Sequence, residues 1–212
     1  RKYARSFLGI LWSCVYPLMR MARLVVVLFS TIFNKGIEKY PAYYFVGFLI
    51  FEFFATATQT SLTTLKDNRN LLIKSKLPRE LFVLSRVLTA FVNFLLGCIP
   101  FAAVLAWYRA RVTLYYLMIP VVLLLLLLFT AGMSYVVSIW FVFQRDARNI
   151  YSNFIFILRF FVAMFYSVEW VSDGVKWVIK HNPVYAYIYV MRQCVVYGQW
   201  PERMYLIQMV AW

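Results

Sequence analysis

Apolar blocks long enough to cross a bilayer alternate with short, mostly basic segments along the whole chain. Residues 112–144 contain no Lys, Arg, Asp or Glu, and 87–108 is likewise uncharged. A hydrocarbon core about 30 Å thick needs roughly 20 apolar residues as helix, so both stretches suffice. The pattern predicts spanning helices over about 17–33, 43–63, 84–107, 115–141 and 150–168, with Pro17 marking the bend into the first. Turns are expected at 34–41 and 108–114, and two charged loops at 66–80 and 144–149. The half-polar segment 169–201 carries Trp170, Trp177 and Trp200, a composition suited to a membrane interface. Another apolar run starts near 203 and reaches Trp212, too short to cross, so a truncated sixth helix is expected. Within the N-terminal segment 1–15, Tyr3, Phe7, Leu8, Leu11 and Trp12 alternate with Arg1, Lys2 and Arg5, as in an amphipathic helix lying on the membrane surface.

Composition agrees. With 64% hydrophobic residues, a soluble domain of this size would lack the polar side chains to cover its outside. The expected fold is therefore all-α: one polytopic membrane domain over 1–212, with six transmembrane helices and an N-terminal interface helix. The net charge of +14 sits in short loops, where it sets topology and meets anionic lipid; no basic soluble domain remains to dock on nucleic acid. Lys and Arg are denser in segments 1–15, 66–86 and 144–149 than in 34–42, 108–114 and 169–203, which predicts a cytoplasmic N-terminus. The three cysteines, Cys14, Cys98 and Cys194, lack metal-ligand spacing, and the lone histidine, His181, has no partner cluster. No Gly-x-x-x-x-Gly-Lys-Ser/Thr phosphate loop occurs, so no nucleotide is held in that mode.

Several stretches together carry a family resemblance. They are Arg1 to Trp12 followed by Pro17; Tyr40-Pro41 leading to Gly47 and Phe51; Asn70-Leu71-Leu72-Ile73-Lys74 with Pro78-Arg79; Arg145-Asp146; and Asn182-Pro183 with Arg192 and Gly198. In order and spacing the chain resembles the membrane subunit of type-2 ABC exporters that move lipid-linked polysaccharides and teichoic acids out of bacteria. The resemblance implies a homodimer around a channel in the bacterial inner membrane, with two copies of a separate ABC ATPase subunit holding Mg-ATP. It also implies that this chain itself binds no cofactor and catalyses no reaction. Lipid pyrophosphate is expected to enter beside the interface helix, near Arg1, Lys2, Arg5 and Trp12. The loop 66–80, with Asn70, Leu71, Leu72, Ile73, Lys74, Pro78 and Arg79, is expected to couple to the ATPase. Arg145 and Asp146 are either a second contact or a local salt bridge.

Charges inside the apolar runs are the sharpest local signals, since each costs several kcal/mol unless paired or wetted. Glu52 and Arg159 each lie about nine residues into their spans, about 13 Å deep at 1.5 Å per residue. Glu52 is therefore expected to pair with Arg159 or with Arg23, either as a fixed interhelical bond or as part of a channel wall. Phe48, Phe51, Phe156 and Phe160 belong to dense aromatic sets whose rings offer sliding contact to the C–H faces of sugars, or simply pack against lipid and helices. The expected cargo is an undecaprenyl-pyrophosphate-linked glycopolymer, with teichoic acid slightly favoured over O-antigen or capsule by the basic, aromatic wall. A drug or lipid permease is the alternative. A membrane-embedded glycosyltransferase would need an acidic site that the 8 Asp and Glu residues do not form.

Overall fold

The computed structural model describes residues 39–74, 78–108 and 113–212. The expected interface helix, the first span and the residues Arg1, Lys2, Arg5, Trp12 and Arg23 lie outside the described residues. Among the described residues every regular element is helical. The helices are α1 (Tyr40–Leu62), α2 (Thr64–Asp67), α3 (Arg69–Lys74), α4 (Glu80–Trp107), α5 (Ile119–Phe143), α6 (Ala147–Phe161), α7 (Asp173–Lys180), α8 (Pro183–Arg192) and α9 (Arg203–Ala211). Short 3₁₀ turns at Leu114–Met118 and Val168–Trp170 precede α5 and α7, and a π turn, Gln193–Tyr197, follows α8.

Among the described residues, three helical stretches are long and apolar enough to span a membrane: Tyr40–Leu62, Glu80–Trp107 and Leu114–Phe143. Their roles invert the rule for soluble proteins. An 18-residue apolar stretch of α1 is 78% buried within the chain, whereas that of the leucine-rich third span is only 17% buried. Lipid is as good a solvent for leucine as protein is, so the most apolar helix can face outward, while aromatic α1 becomes the hub. Around α1 pack α4, α5, α6 and α8.

Ring contacts give the directions. Phe45 meets Phe101 and Phe53 meets Phe94, so α4 runs antiparallel to α1. Phe54 stacks on Phe129, and Lys66 lies over Phe141, so α5 runs parallel to it. Gly97 lets α4 close on α1: a β-carbon there would sit 2.8 Å from Leu49 Cδ2. Glu52 and Phe51 meet Arg159, so α6 returns antiparallel.

Two expectations are corrected. The apolar run 150–168 does not form one spanning helix: α6 begins at Ala147 and stops at Phe161, 15 residues in all. Beyond it Ala163 takes a left-handed conformation (φ 44°), which breaks the helical path. The segment 169–201 is not wholly interfacial either. Trp170, Trp177 and Trp200 are exposed, as an interface would require. Its middle, α8 and the following turn, is instead folded into the core, with Val184, Ala186, Ile188, Val190 and Cys194 buried. Asn182-Pro183 starts this inner helix: the Asn182 side chain accepts a hydrogen bond from the Val184 amide, and Pro183 supplies a first-turn residue with no amide to satisfy. Gly198, with φ 63°, ends it.

Candidate functional site

A helix that stops within an apolar region leaves its last carbonyls without amide partners, and hydrocarbon offers no water to replace them. Here side chains from other elements fill the gap. Tyr166 Oη donates to Phe160 O at 2.6 Å, and Asn182 Nδ2 donates to Phe161 O at 3.1 Å. Arg192 Nη1 and Nη2 donate to Ala163 O and Met164 O at 3.1 and 3.2 Å. Tyr40 Oη and Tyr43 Oη donate to Phe165 O and Tyr166 O, both at 2.9 Å. The break thus depends on donors from α1, from Asn182 before α8 and from Arg192 at its end, together with its own Tyr166.

Arg192 is the centre of this arrangement. It is only 3% exposed, its Nε donates to Tyr43 O at 3.1 Å, and its guanidinium lies 3.4 Å from the centroid of the Tyr43 ring. Three carbonyl dipoles and an aromatic face thus solvate a buried charge, and the planar fork of Arg suits that geometry in a way a lysine would not. The close approach needs Gly47, since a β-carbon there would lie 2.7 Å from Arg192 Nη2.

Deeper along α1, Arg159 Nη2 lies 3.9 Å from Glu52 Oε2, with side chains 41% and 32% exposed. Arg159 also lies over the Phe51 ring at 5.4 Å. The structure therefore places Glu52 with Arg159 and puts Phe51 beneath the pair. Of the four aromatic candidates, Phe51 is fully buried and Phe48 is buried against Tyr44, both inside the bundle. Phe156 and Phe160, in edge contact 5.6 Å apart on α6, are exposed. Only these last two present faces to anything outside the described chain.

The charged segments gather at the opposite end of the bundle, beyond Leu62. The stretch expected as a coupling loop is largely helical, α2 and α3, before the undescribed residues 75–77. Asn70, Leu71, Ile73 and Lys74 are exposed and Leu72 is half-buried; Pro78 and Arg79 are exposed at the start of α4. Arg145 and Asp146 are exposed between α5 and α6, and no ion pair joins them among the described residues. Among the described residues no group of His, Cys, Asp and Glu is placed to hold a metal.

Residue-by-residue reading of the sequence assigned no role to Arg192, Tyr40, Tyr43 or Asn182. The available signal was an arginine nine residues after an Asn-Pro helix start, within an otherwise apolar and tyrosine-rich stretch.

Comparison with known proteins adds the family. Residues 20–212 match the family described as "ABC-2 family transporter protein". The chain is similar to the O-antigen export system permease protein RfbA of Myxococcus xanthus, 31% identical over 81% of this chain and 66% of that protein. It is also similar to proteins of the same name from Klebsiella pneumoniae, at 26% and 25% identity over 93% of this chain and 76% of theirs.

Proposed function

The chain belongs to the ABC-2 family of transporter proteins, and from that membership we propose that it is the membrane permease subunit of an exporter for a lipid-linked polysaccharide of the O-antigen type. The observation that carries this reading is the similarity to O-antigen export permeases over 81–93% of the chain. Those relatives' names favour O-antigen over teichoic acid as the polymer class.

In this reading two copies line a route through the bacterial inner membrane and two ATPase subunits drive them. The Leu62 end faces the cytoplasm, where the exposed Leu71 and Ile73 on α3, flanked by Arg69, Lys74 and Arg79, offer an apolar plug with basic edges. The Tyr40 end faces outward. Phe156, Phe160 and Arg159 form the face of α6 along which polymer and its pyrophosphate would pass. Arg159 would meet phosphate oxygens with a bidentate fork, and the phenyl rings would give weak, repeatable contact to sugar faces. Transport needs no bond made or broken by this chain; the chemistry would be ATP hydrolysis on the partner.

The test is deletion of the gene in its native bacterium, with complementation by the intact, affinity-tagged protein. Surface polysaccharide should disappear, lipid-linked glycan should accumulate inside, and an ABC ATPase should purify with the tag in equal amount. Unchanged surface polysaccharide, with altered tolerance to a small amphiphile, would instead establish a small-molecule permease.

A further inference from the structure

The end of the bundle that holds the helix break also holds a cavity of about 540 Å³, walled by the turn after the break, α7, α8 and the start of α9. That volume falls within the roughly 300–1,000 Å³ typical of small-ligand sites. Its floor is tyrosine: Tyr185 packs edge-on against Tyr205 at 5.9 Å, and Tyr189 lies 4.0 Å from Tyr205. Tyr185 and Tyr205 are only 5% and 2% exposed, and both line the cavity. Each therefore offers a ring and a hydroxyl to a molecule held there.

The charges narrow the class of ligand. Arg192 lines the cavity, with its Nε, Nη1 and Nη2 each donating to a backbone carbonyl of the wall. Lys176 and Lys180 on α7 and Glu169 and Glu202 also line it, so the wall carries three cations and two carboxylates. Glu202 already accepts a hydrogen bond from Tyr189 Oη at 3.1 Å, which orients it toward the tyrosines. A phosphate would meet two repelling carboxylates, and an alkyl chain would strand every polar group in the wall. A pyranose fits both features. Its adjacent hydroxyls can bridge carboxylate oxygens and phenolic groups, and its C–H face can lie on a tyrosine ring.

We infer that this cavity is a saccharide subsite that holds a short stretch of the exported glycan at the Tyr40 end of the permease. The inference rests on the polysaccharide-export reading above and adds a place of contact that the reading does not require. Its contacts are individual hydrogen bonds to carboxylate and phenol oxygens and ring stacking, none of which pairs the sugar with an opposite charge.

The test uses the full transporter with its ATPase in the native host, whose glycan is labelled with a radioactive monosaccharide. The photoreactive residue p-benzoylphenylalanine replaces Tyr197 at the cavity rim, Phe156 on α6 or Leu124 on the outward face of α5. Ultraviolet light should give a labelled glycan adduct from position 197 at least tenfold above that from position 124. In the same background Tyr185→Phe, which removes one hydroxyl from the cavity wall and keeps the ring, should lower that adduct roughly threefold to tenfold at an unchanged amount of chain. An adduct at position 156 with none at 197 would overturn the subsite while leaving export intact. An adduct at 197 indifferent to Tyr185→Phe would overturn it too, since the polymer would only be passing the rim. Absence of adduct at all three positions, with normal surface polysaccharide in the deletion strain, would overturn the export reading itself.

Discussion

Gly47 and Arg192, on helices that meet only in the folded chain, approach so closely that a β-carbon at position 47 would lie 2.7 Å from Arg192 Nη2. Gly47→Ala should therefore destabilise the protein even though alanine favours helix by up to about 1 kcal/mol. The guanidinium cannot swing away without releasing Tyr43 O, Ala163 O and Met164 O together. Overpacking of this kind costs about 1–3 kcal/mol, readable as a lowered melting temperature in detergent. Gly97→Ala is the control. Its β-carbon would meet only the tip of Leu49, which can rotate, so its loss should be smaller. Equal losses would mean that Arg192 is not held as described.

The Glu52–Arg159 pair separates a structural bond from a transport role. At 3.9 Å, with both side chains partly exposed, the pair should contribute no more than about 1 kcal/mol to stability. If Arg159 meets the moving polymer, Arg159→Leu should cut export at least tenfold and leave the melting temperature nearly unchanged. The swapped pair, Glu52→Arg with Arg159→Glu, should fold but not transport. Full export by the swapped protein would reduce the pair to a structural bond.

Leu71 and Ile73 are exposed on α3, 56% and 72% respectively. If they seat in the ATPase, Leu71→Asp or Ile73→Asp should weaken the association at least thirtyfold, the loss of about 2 kcal/mol expected of a central anchor. The amount of permease in the membrane should not change. Copurification of the ATPase at wild-type yield would remove α3 from the interface.

Burial pushes the Tyr185 and Tyr189 hydroxyls above the ordinary tyrosine range, and Glu202 adds to the effect at Tyr189. A raised value in the folded state means that the neutral form is the one the fold accommodates. Its stability is fully present below about pH 10, the unfolded value, and is lost as pH rises through the folded values. Melting temperature should thus be flat across neutral pH and fall above about pH 10, and Tyr185→Phe should soften that fall. A decline that starts near pH 8 would contradict it.

What the sequence made legible followed from local rules. The uncharged runs located α4 and α5 to within a few residues, whereas the helix between Asn182-Pro183 and Gly198 was missed in a segment read as half-polar and interfacial. The end of α6 was not legible, because Val162 to Val168 is as apolar as the helix before it. Its last carbonyls, Phe160 O and Phe161 O, are taken by Tyr166 and Asn182, and those of the turn beyond by Tyr40, Tyr43 and Arg192, partners up to 125 residues away in sequence. The same distance hides the site. Glu52 and Arg159 announced themselves as charges in apolar runs, whereas Arg192 lay in a segment that read as half-polar and so raised no alarm.

The central position of α1 bears on how the protein is made. This helix carries Glu52 near its middle and leaves the ribosome before α4 and α5, the neighbours that shield most of its surface. On its own it is the poorest of the three long helices for a bilayer to accept, and α5 is the best. Biogenesis therefore requires α1 to wait, held at the insertion machinery or at the membrane interface, until the later helices emerge. Crosslinks from α1 to the translocon should persist until α5 has emerged from the ribosome and then disappear.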